Sequence, residues 1–280
     1  MTTRRARTPL TAGRVVIFAL MVVLGAVFFL PLVWMIASSF KTNAQIFSHP
    51  FALPTQLDPQ RWVQAWNDGN LGQYVTNSVI VSGVSVTAVL VIGSAAAFAF
   101  ARMAFRGRQV LMALLSLGLL LPVQSYFIAQ SKVFNDLALT DTRWALIIPY
   151  TAMGLPLAVY LLTVFLAELP KEIFEAALLD GAGEVRMLVS LTLPLLRPGL
   201  AAVGVFTLLS TWNEFLLALL YISDDSLKTI PTGLLAFSSK YVTDYSMLFG
   251  ALSIITLPLV VIYVVFNRQI NASVAAGSLK

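Results

Sequence analysis

Long apolar runs, separated by short polar segments, dominate the pattern of this 280-residue chain. A helix needs about 20 mostly apolar residues to cross the hydrocarbon core of a bilayer. Six segments meet that requirement and predict six spanning helices, at about 15–37, 74–100, 110–129, 144–166, 199–222 and 246–266. The first run is longer than the apolar core of a cleaved signal peptide, which is about 7–15 residues, so we interpret it as a retained helix.

The basic residues predict the orientation of the chain, because Lys and Arg are enriched in cytoplasmic loops. Twelve of the 18 lie in the N-terminus, the 101–109 loop, the 167–198 loop and the C-terminal tail, namely Arg4, Arg5, Arg7, Arg14, Arg102, Arg106, Arg108, Lys171, Arg186, Arg197, Arg268 and Lys280. The other six are Lys41, Arg61, Lys132, Arg143, Lys228 and Lys240. This distribution places both termini in the cytoplasm.

Composition agrees with this pattern. Apolar residues make up 58% of the chain and charged residues 11%, whereas soluble domains are about half apolar and about a quarter charged. The net charge of +5 does not indicate nucleic-acid binding, since the basic residues sit in short loops without interleaved aromatic residues. The predicted fold class is therefore all-α, a polytopic membrane protein whose residues 1–280 form a single transmembrane domain.

The outer loop at 38–73 and the lone histidine offer little chemistry. The chain has no cysteine, and His49 has no cluster of Cys or carboxylate residues beside it, so no metal site is predicted. The loop is interpreted as an irregular segment with one short amphipathic helix near 59–68. A dedicated ligand loop is the alternative.

The loop 167–198, predicted to be cytoplasmic, is long enough to hold structure of its own. Helix formers from Lys171 to Leu179 predict a first short helix, and Asp180-Gly181 predicts its end. A second short helix is predicted at about 184–193.

The loop 167–198 is also unusually rich in small and acidic residues. Two interfacial helices that merely link spans four and five would explain its apolar stripe but not these residues. They are Ala176, Ala177, Gly181, Ala182 and Gly183, with Glu172, Glu175, Asp180 and Glu184 around them. A slim helix with an acidic rim is suited to docking into a basic groove on a partner protein.

These residues resemble a known family. Glu175-Ala176-Ala177, Asp180-Gly181-Ala182 and Leu193-Pro194-Leu195 resemble the EAA loop of bacterial ABC importer permeases, with Gly181 six residues after Glu175 and Pro194 thirteen after Gly181. Further resemblance to the carbohydrate-uptake branch extends over most of the chain, at Asn77-Ser78, Ala99-Phe100-Ala101-Arg102, Phe105-Arg106-Gly107, Trp212-Asn213-Glu214-Phe215 and Ala276-Gly277-Ser278-Leu279-Lys280. The chain is most similar to the smaller, six-span permease of maltose-type importers.

The resemblance implies a type I, maltose-permease-like ABC importer fold in the bacterial cell membrane, with a cytoplasmic coupling helix. We therefore call the loop 167–198 the coupling loop. The residues implied in ATPase coupling are Glu175, Ala176, Ala177, Asp180, Gly181, Ala182, Leu188 and Pro194. The implied partners are a second permease in a heterodimer, two copies of an ATPase, an extracytoplasmic solute-binding protein, a sugar and membrane lipid. Two departures from the family pattern, Gly183-Glu184 and Leu188, fall where the fit to the ATPase is tuned.

The same resemblance implies that this chain is not an enzyme and holds no cofactor. It has no G-x-x-x-x-G-K-[ST] phosphate cradle, so ATP and Mg would be bound by the partner ATPase.

Within the predicted spans, Glu214 is the only acidic residue. An intramembrane carboxylate is costly and is a functional candidate by default. Trp212, Asn213 and Glu214, hereafter the pathway trio, could face a sugar, since carboxylate and amide groups match hydroxyls and an indole can stack on a pyranose. Alternatively, Asn213 and Glu214 hydrogen-bond to backbone or to a neighbouring span and hold the bundle together.

Other functions remain as alternatives. An ABC permease for a non-sugar solute is the nearest. An ATP-independent secondary transporter or channel would usually show inverted repeats or several buried charges, which this chain lacks. An intramembrane enzyme is disfavoured because no His or Cys lies in a span. The tail 267–280 is either a disordered end or a segment that reaches the ATPase.

Overall fold

This computed structural model of the chain describes residues 12–237 and 244–278. Its backbone in those two ranges is helical, with turns and loops but no strand. Up to the coupling loop the helices are α1 Ala12–Ser38, α2 Asn43–Ser48, α3 Gln60–Asp68, α4 Leu71–Arg102, α5 Arg108–Leu117, α6 Phe127–Asp136 and α7 Trp144–Glu168. Among the residues that carried sequence predictions, those outside the described ranges include Arg4, Arg5, Arg7, Lys240, Leu279 and Lys280.

From the coupling loop onward the helices are shorter until the last one. They are α8 Lys171–Leu179, α9 Glu184–Arg186, α10 Leu193–Leu195, α11 Arg197–Trp212, α12 Leu216–Tyr221, α13 Ile230–Gly233 and α14 Tyr245–Ser278. A π-helical stretch, Met187–Thr192, joins α9 to α10.

Three predicted spans are single helices in the structure. The segments Val15–Ser38, Leu71–Arg102 and Trp144–Glu168 are long and apolar enough to cross a membrane. They coincide with the segments predicted at 15–37, 74–100 and 144–166. The short helix predicted near 59–68 is confirmed as α3.

The third predicted span, 110–129, is not one helix. α5 ends at Leu117, and α6 begins only at Phe127. The N–H groups of Gly118, Leu119 and Leu120 bond to carbonyls three residues back, which tightens the chain out of the α-helix. Pro122 then has no N–H to continue the ladder, and it disfavours helical backbone in the residue before it. The run stays apolar throughout, so its hydropathy predicted one uninterrupted helix.

The fifth predicted span, 199–222, is also interrupted. α11 ends at Trp212, and α12 begins at Leu216. The sixth predicted span, 246–266, lies within α14, whose backbone is helical as far as Ser278.

The chain forms two compact units. The first comprises Met1–Ala65 and Phe237–Ile254. In it, the buried Lys41 ammonium donates hydrogen bonds to the carbonyls of His49 and Pro50, at 3.3 and 3.0 Å. The single domain 1–280 stays a prediction.

The second unit, Trp66–Ala236 with Ile255–Lys280, contains the packed bundle of α4, α7 and α11. Small residues let its helices approach closely, as is common where lipid supplies no hydrophobic driving force between helices. A Cβ added at Gly93 of α4 would lie 3.0 Å from the Cβ of Ala158 on α7. A Cβ at Gly154 of α7 would lie 2.8 Å from Val89 of α4. Buried side chains of the three helices fill the core around these contacts.

At the end of this bundle where α4 begins, polar side chains fix the chain after α12. Arg143 Nη2 donates to Asn77 Oδ1 at 2.9 Å, and Asn77 Nδ2 donates to the carbonyls of Ser226 and Lys228 at 2.8 and 3.0 Å. The Lys228 ammonium, 2.8 Å from Asp225, lowers the pKa of that carboxyl below its usual value. Loop carbonyls here are thus satisfied by side chains rather than by a helix.

The close contact at Gly93 predicts a stability difference between two glycines of α4. Gly93→Leu should lower the free energy of unfolding by about 1–3 kcal/mol, since overpacking forces the helices apart. Gly83→Leu is the matched control, because a Cβ at Gly83 would meet nothing within 4 Å. Thermal unfolding of the purified chain in detergent measures both, and equal melting temperatures would contradict the packing described above.

Candidate functional site

The first helix of the coupling loop, α8, has well-defined ends. Pro170 precedes it and has no N–H to leave unpaired at a helix start. At the other end, Ala182 N–H bonds to the carbonyl of Ala177 at 2.9 Å, and Gly181 N–H bonds to the carbonyl of Leu178 at 3.0 Å. This pair of bonds is the Schellman motif, which needs left-handed backbone at the residue after the C-cap. Gly181 occupies that position with φ +76° and confirms the predicted turn.

α8 is held to the bundle by one buried side chain. Phe174 is the only buried residue of the helix. It belongs to a core cluster with residues of α4 and α7, among them Phe98 and Leu166. The half-buried Ala177, three residues further along the same face, packs against that cluster.

The C-terminal end of α8 and the start of α9 present apolar side chains to the outside. Leu178 is 57% exposed, Leu179 is 90% exposed and Val185 is 77% exposed. Scattered single apolar residues on a surface need no explanation, but three within eight residues make a patch.

An acidic rim surrounds this patch. Glu172, Glu175, Asp180 and Glu184 are all exposed. Within the described residues the one ion pair is Lys228–Asp225, so none of the four carboxylates is neutralised there. We call this exposed surface, with Leu178, Leu179, Val185 and the four acidic residues, the α8 surface.

The predicted coupling residues divide between the two faces. Ala177, Ala182 and Leu188 are half-buried and pack against the core cluster. The exposed members are Glu175, Ala176, Asp180, Gly181 and Pro194. The small residues therefore serve two purposes: Ala177 and Ala182 let the loop lie close to the bundle, while Ala176 and Gly181 keep the outer side slim.

The second part of the coupling loop turns the chain back into the bundle. Met187–Thr192 is π-helical, a wide form often seen at functional positions. Pro194 and Pro198 follow, and the helix Glu184–Leu195 meets Arg197–Trp212 at a bend of 78°. Each proline lacks an N–H and interrupts the ladder near the bend.

The pathway trio lies at the break between α11 and α12, but its three side chains face different surroundings. Trp212 is buried, and its Nε1 has no hydrogen-bond partner among the described residues. Asn213 is exposed and donates to the carbonyl of Leu209, one turn back, at 2.8 Å. Glu214 is half-buried.

The carboxylate of Glu214 accepts hydrogen bonds from three donors. The Tyr150 hydroxyl of α7 donates to Oε2 at 2.6 Å. The Leu217 N–H donates to Oε1 at 2.9 Å, and the Ala218 N–H donates to Oε2 at 3.2 Å. These two N–H groups are free at the start of α12, so the carboxylate acts as a cap and ties α12 to α7.

A cleft of about 130 Å³ lies beside this carboxylate, between α7 and α11. It is lined by Tyr150, Met153, Gly154, Leu157, Phe206, Thr207, Ser210, Thr211 and Glu214. Neither Trp212 nor Asn213 lines it. Of the two alternatives left by the sequence, the hydrogen bonds of Asn213 and Glu214 fit the holding role, while Glu214 also borders a cleft.

Two residues of these sites were missed by sequence reasoning. Tyr150 gave no signal, because a Tyr in an apolar span is usually a packing residue. Arg102 was counted as a basic loop residue and as part of a family motif. Nothing in the sequence pairs it with Phe174, although its guanidinium lies 3.8 Å from the centre of that ring.

The long apolar helices of the packed bundle define the class as a polytopic membrane protein. Comparison with known sequences gives the family. The chain belongs to the family of binding-protein-dependent transport system inner membrane components, whose model matches residues 89–275. It is a permease subunit of an ABC importer.

Characterised relatives and solved structures agree with this assignment. The chain is 35% identical to the diacetylchitobiose uptake system permease protein NgcG of Streptomyces coelicolor, over 94% of this chain and 87% of that protein. It is 31% identical to the trehalose/maltose transport system permease protein MalG of Thermococcus litoralis, over 89% and 91% of the two chains. A chain in the crystal structure of a bacterial ABC transporter that imports alginate has the same fold, with a TM-score of 0.81, 18% identity and coverage of 93% and 99%.

The capping role of Glu214 predicts the effect of its amide. Glu214→Gln should lower the free energy of unfolding by about 1.5–3 kcal/mol, because hydrogen bonds to a charged group are lost and the new NH₂ faces N–H donors. Thermal unfolding in detergent measures the change. Asn213→Ala is the control, since Asn213 bonds only to its own helix.

An unchanged melting temperature for Glu214→Gln, together with an altered solute affinity in the assembled importer, would contradict the capping role. It would support the sugar-facing alternative for the pathway trio instead.

Proposed function

We propose that this chain forms half of the membrane pathway of a sugar importer, paired with a second, different permease. Two copies of an ATPase drive the pair, and an extracytoplasmic binding protein delivers the sugar. The chain couples ATPase motion to alternating access through the segment Glu175 to Pro194. It lies in the bacterial cell membrane with both termini in the cytoplasm.

The observation that carries this proposal is the α8 surface. An apolar patch inside a ring of unneutralised carboxylates is costly to leave in water and is poorly matched to lipid headgroups. A partner with a groove that is apolar at its floor and basic at its rim would cover both features. Burial of the patch supplies affinity, and the charges select the partner and its orientation.

The sugar assignment is supported by the relatives. NgcG belongs to a diacetylchitobiose uptake system, and MalG belongs to a trehalose/maltose transport system. The structural relatives include an alginate transporter in complex with a periplasmic protein that carries an alginate pentasaccharide, with a TM-score of 0.61 and 13% identity. ATP and Mg are bound by the ATPase in this proposal, and this chain holds no cofactor.

The docking role of the α8 surface predicts a selective loss of the ATPase. Leu179→Asp should reduce co-purification of the ATPase at least about tenfold, since a desolvated charge at an interface costs several kcal/mol. The fold should survive, because the side chain is 90% exposed. Mass spectrometry identifies the ATPase that co-purifies with the wild-type chain, and MgATP hydrolysis of the complex confirms it.

Leu53→Asp is the matched control. Leu53 is 78% exposed and lies in the loop predicted to face the opposite side of the membrane. If no MgATP-hydrolysing partner co-purifies with the wild-type chain, or if the two variants lose it equally, the docking role fails.

The left-handed backbone at Gly181 predicts a second pair of variants. Gly181→Leu strains the turn by about 1–2 kcal/mol, because an L-residue there places Cβ against its own carbonyl. The surroundings are open, with nothing within 4 Å of an added Cβ, so the effect comes from the backbone and not from a clash. Uptake per ATP hydrolysed should fall in proteoliposomes.

Gly107→Leu is the control for Gly181→Leu. Gly107 has a similar φ of +83° and equally open surroundings, but it lies outside the coupling loop. If Gly181→Leu takes up as much solute per ATP hydrolysed as the wild type does, the turn at Gly181 has no role in coupling.

A further inference from the structure

One arginine links three helices at the end of the bundle that carries the coupling loop. Arg102 is the last residue of α4. Its Nη2 donates to the carbonyls of Leu166 and Leu169 at the end of α7, at 2.7 and 3.2 Å. Its guanidinium carbon lies 3.8 Å from the centre of the Phe174 ring of α8.

The contact with α7 satisfies a need of that helix. The last carbonyls of a helix have no partner within it and carry partial negative charge. Glu168 ends α7, and Leu169 is its C-cap. A fixed cation that bonds two of these carbonyls holds the exact point at which the chain leaves the bundle for the coupling loop.

On α8, Arg102 contacts the only buried residue of that helix. Phe174 fixes α8 to the bundle, and every other residue from Lys171 to Leu179 is half-buried or exposed. A guanidinium over an aromatic face gains electrostatic attraction in addition to packing. Arg102 therefore sits on the anchor through which α8 can pull on α4 and α7.

Arginine suits this place better than lysine would. A planar guanidinium can stack on a ring while its edge donates hydrogen bonds, whereas an ammonium is a compact and strongly hydrated point charge. Arg102 Nε is buried without a hydrogen-bond partner among the described residues, so one edge of the group is enclosed by the protein. The group is held in a single orientation by its surroundings.

We propose that Arg102 is a positioning residue that transmits the motion of the coupling helix to α4 and α7. The guanidinium joins the Phe174 anchor of α8 to the end of α7, so the three helix ends move as one body. This inference rests on the proposed function for its role in transport, but the fastening itself belongs to this chain alone.

The fastening is tested on the purified chain without any partner. The chain has no cysteine, so cysteines introduced at Leu179 and Gln109, both exposed, give specific spin-label sites on α8 and α5. The wild-type background should show one narrow distance distribution. Arg102→Met, which keeps a long apolar side chain, should raise the population of displaced α8 about tenfold.

Arg102→Lys separates charge from stacking. It keeps a cation near the α7 carbonyls and should restore part of the narrow distribution, whereas Phe174→Leu should behave like Arg102→Met. Arg108→Met is the control, because Arg108 is an exposed arginine at the start of α5.

The assembled importer gives the second readout. With Arg102→Met, the complex should still form and hydrolyse MgATP, but uptake per ATP should fall about tenfold or more, and Arg102→Lys should recover part of it. A distance distribution that Arg102→Met leaves unchanged would overturn the fastening. A displaced α8 together with normal uptake per ATP would overturn the proposal that Arg102 transmits the motion of α8. A wild-type chain that recruits no ATPase would refute the proposed function, while the spin-label distances would still test the contacts of Arg102.

Discussion

Helix ends inside an apolar bundle must find partners for their free backbone groups, and this constraint organises the whole structure. Lipid offers no hydrogen bonds, so where a helix is interrupted a side chain must bond to the backbone groups that water would satisfy in a soluble protein. The Glu214 carboxylate accepts hydrogen bonds from N–H groups at the start of α12, and the Arg102 guanidinium donates to the carbonyls at the end of α7. Asn77 takes the carbonyls of the loop after α12.

The same constraint explains why Glu214 and Arg102, two charged residues of the bundle, lie at helix ends. A carboxylate is stabilised at a helix N-terminus and a guanidinium at a C-terminus, so each sign of charge is found where the backbone dipole favours it. Each of these side chains also reaches a second helix: Glu214 reaches Tyr150, and Arg102 reaches Phe174. A group that satisfies a helix end thereby also links two helices.

The sequence predicts the parts of this architecture that depend on local chemistry. Run length located α1, α4 and α7, and the order of helix formers, Asp180 and Gly181 located α8 and its end. The break between α5 and α6 was not predicted, because hydropathy measures apolarity and not hydrogen bonding. The contacts of Arg102 with Phe174 and of Glu214 with Tyr150 join residues far apart in the chain, so only the folded structure shows them.

The division of α8 into two faces limits how it can work. Phe174 faces the bundle and Leu179 faces outward. A partner that docks on the outer face would therefore act on the bundle through the contacts of Phe174. Burial of one phenylalanine contributes about 1.5–3 kcal/mol, which is modest for the only buried side chain that holds the helix. The hydrogen bonds of Arg102 to α7 and its contact with the ring add to that anchor. Under the proposed function, a weakly held α8 would yield at this point before it moved the spans, so its fastening would set how much ATPase motion reaches the pathway.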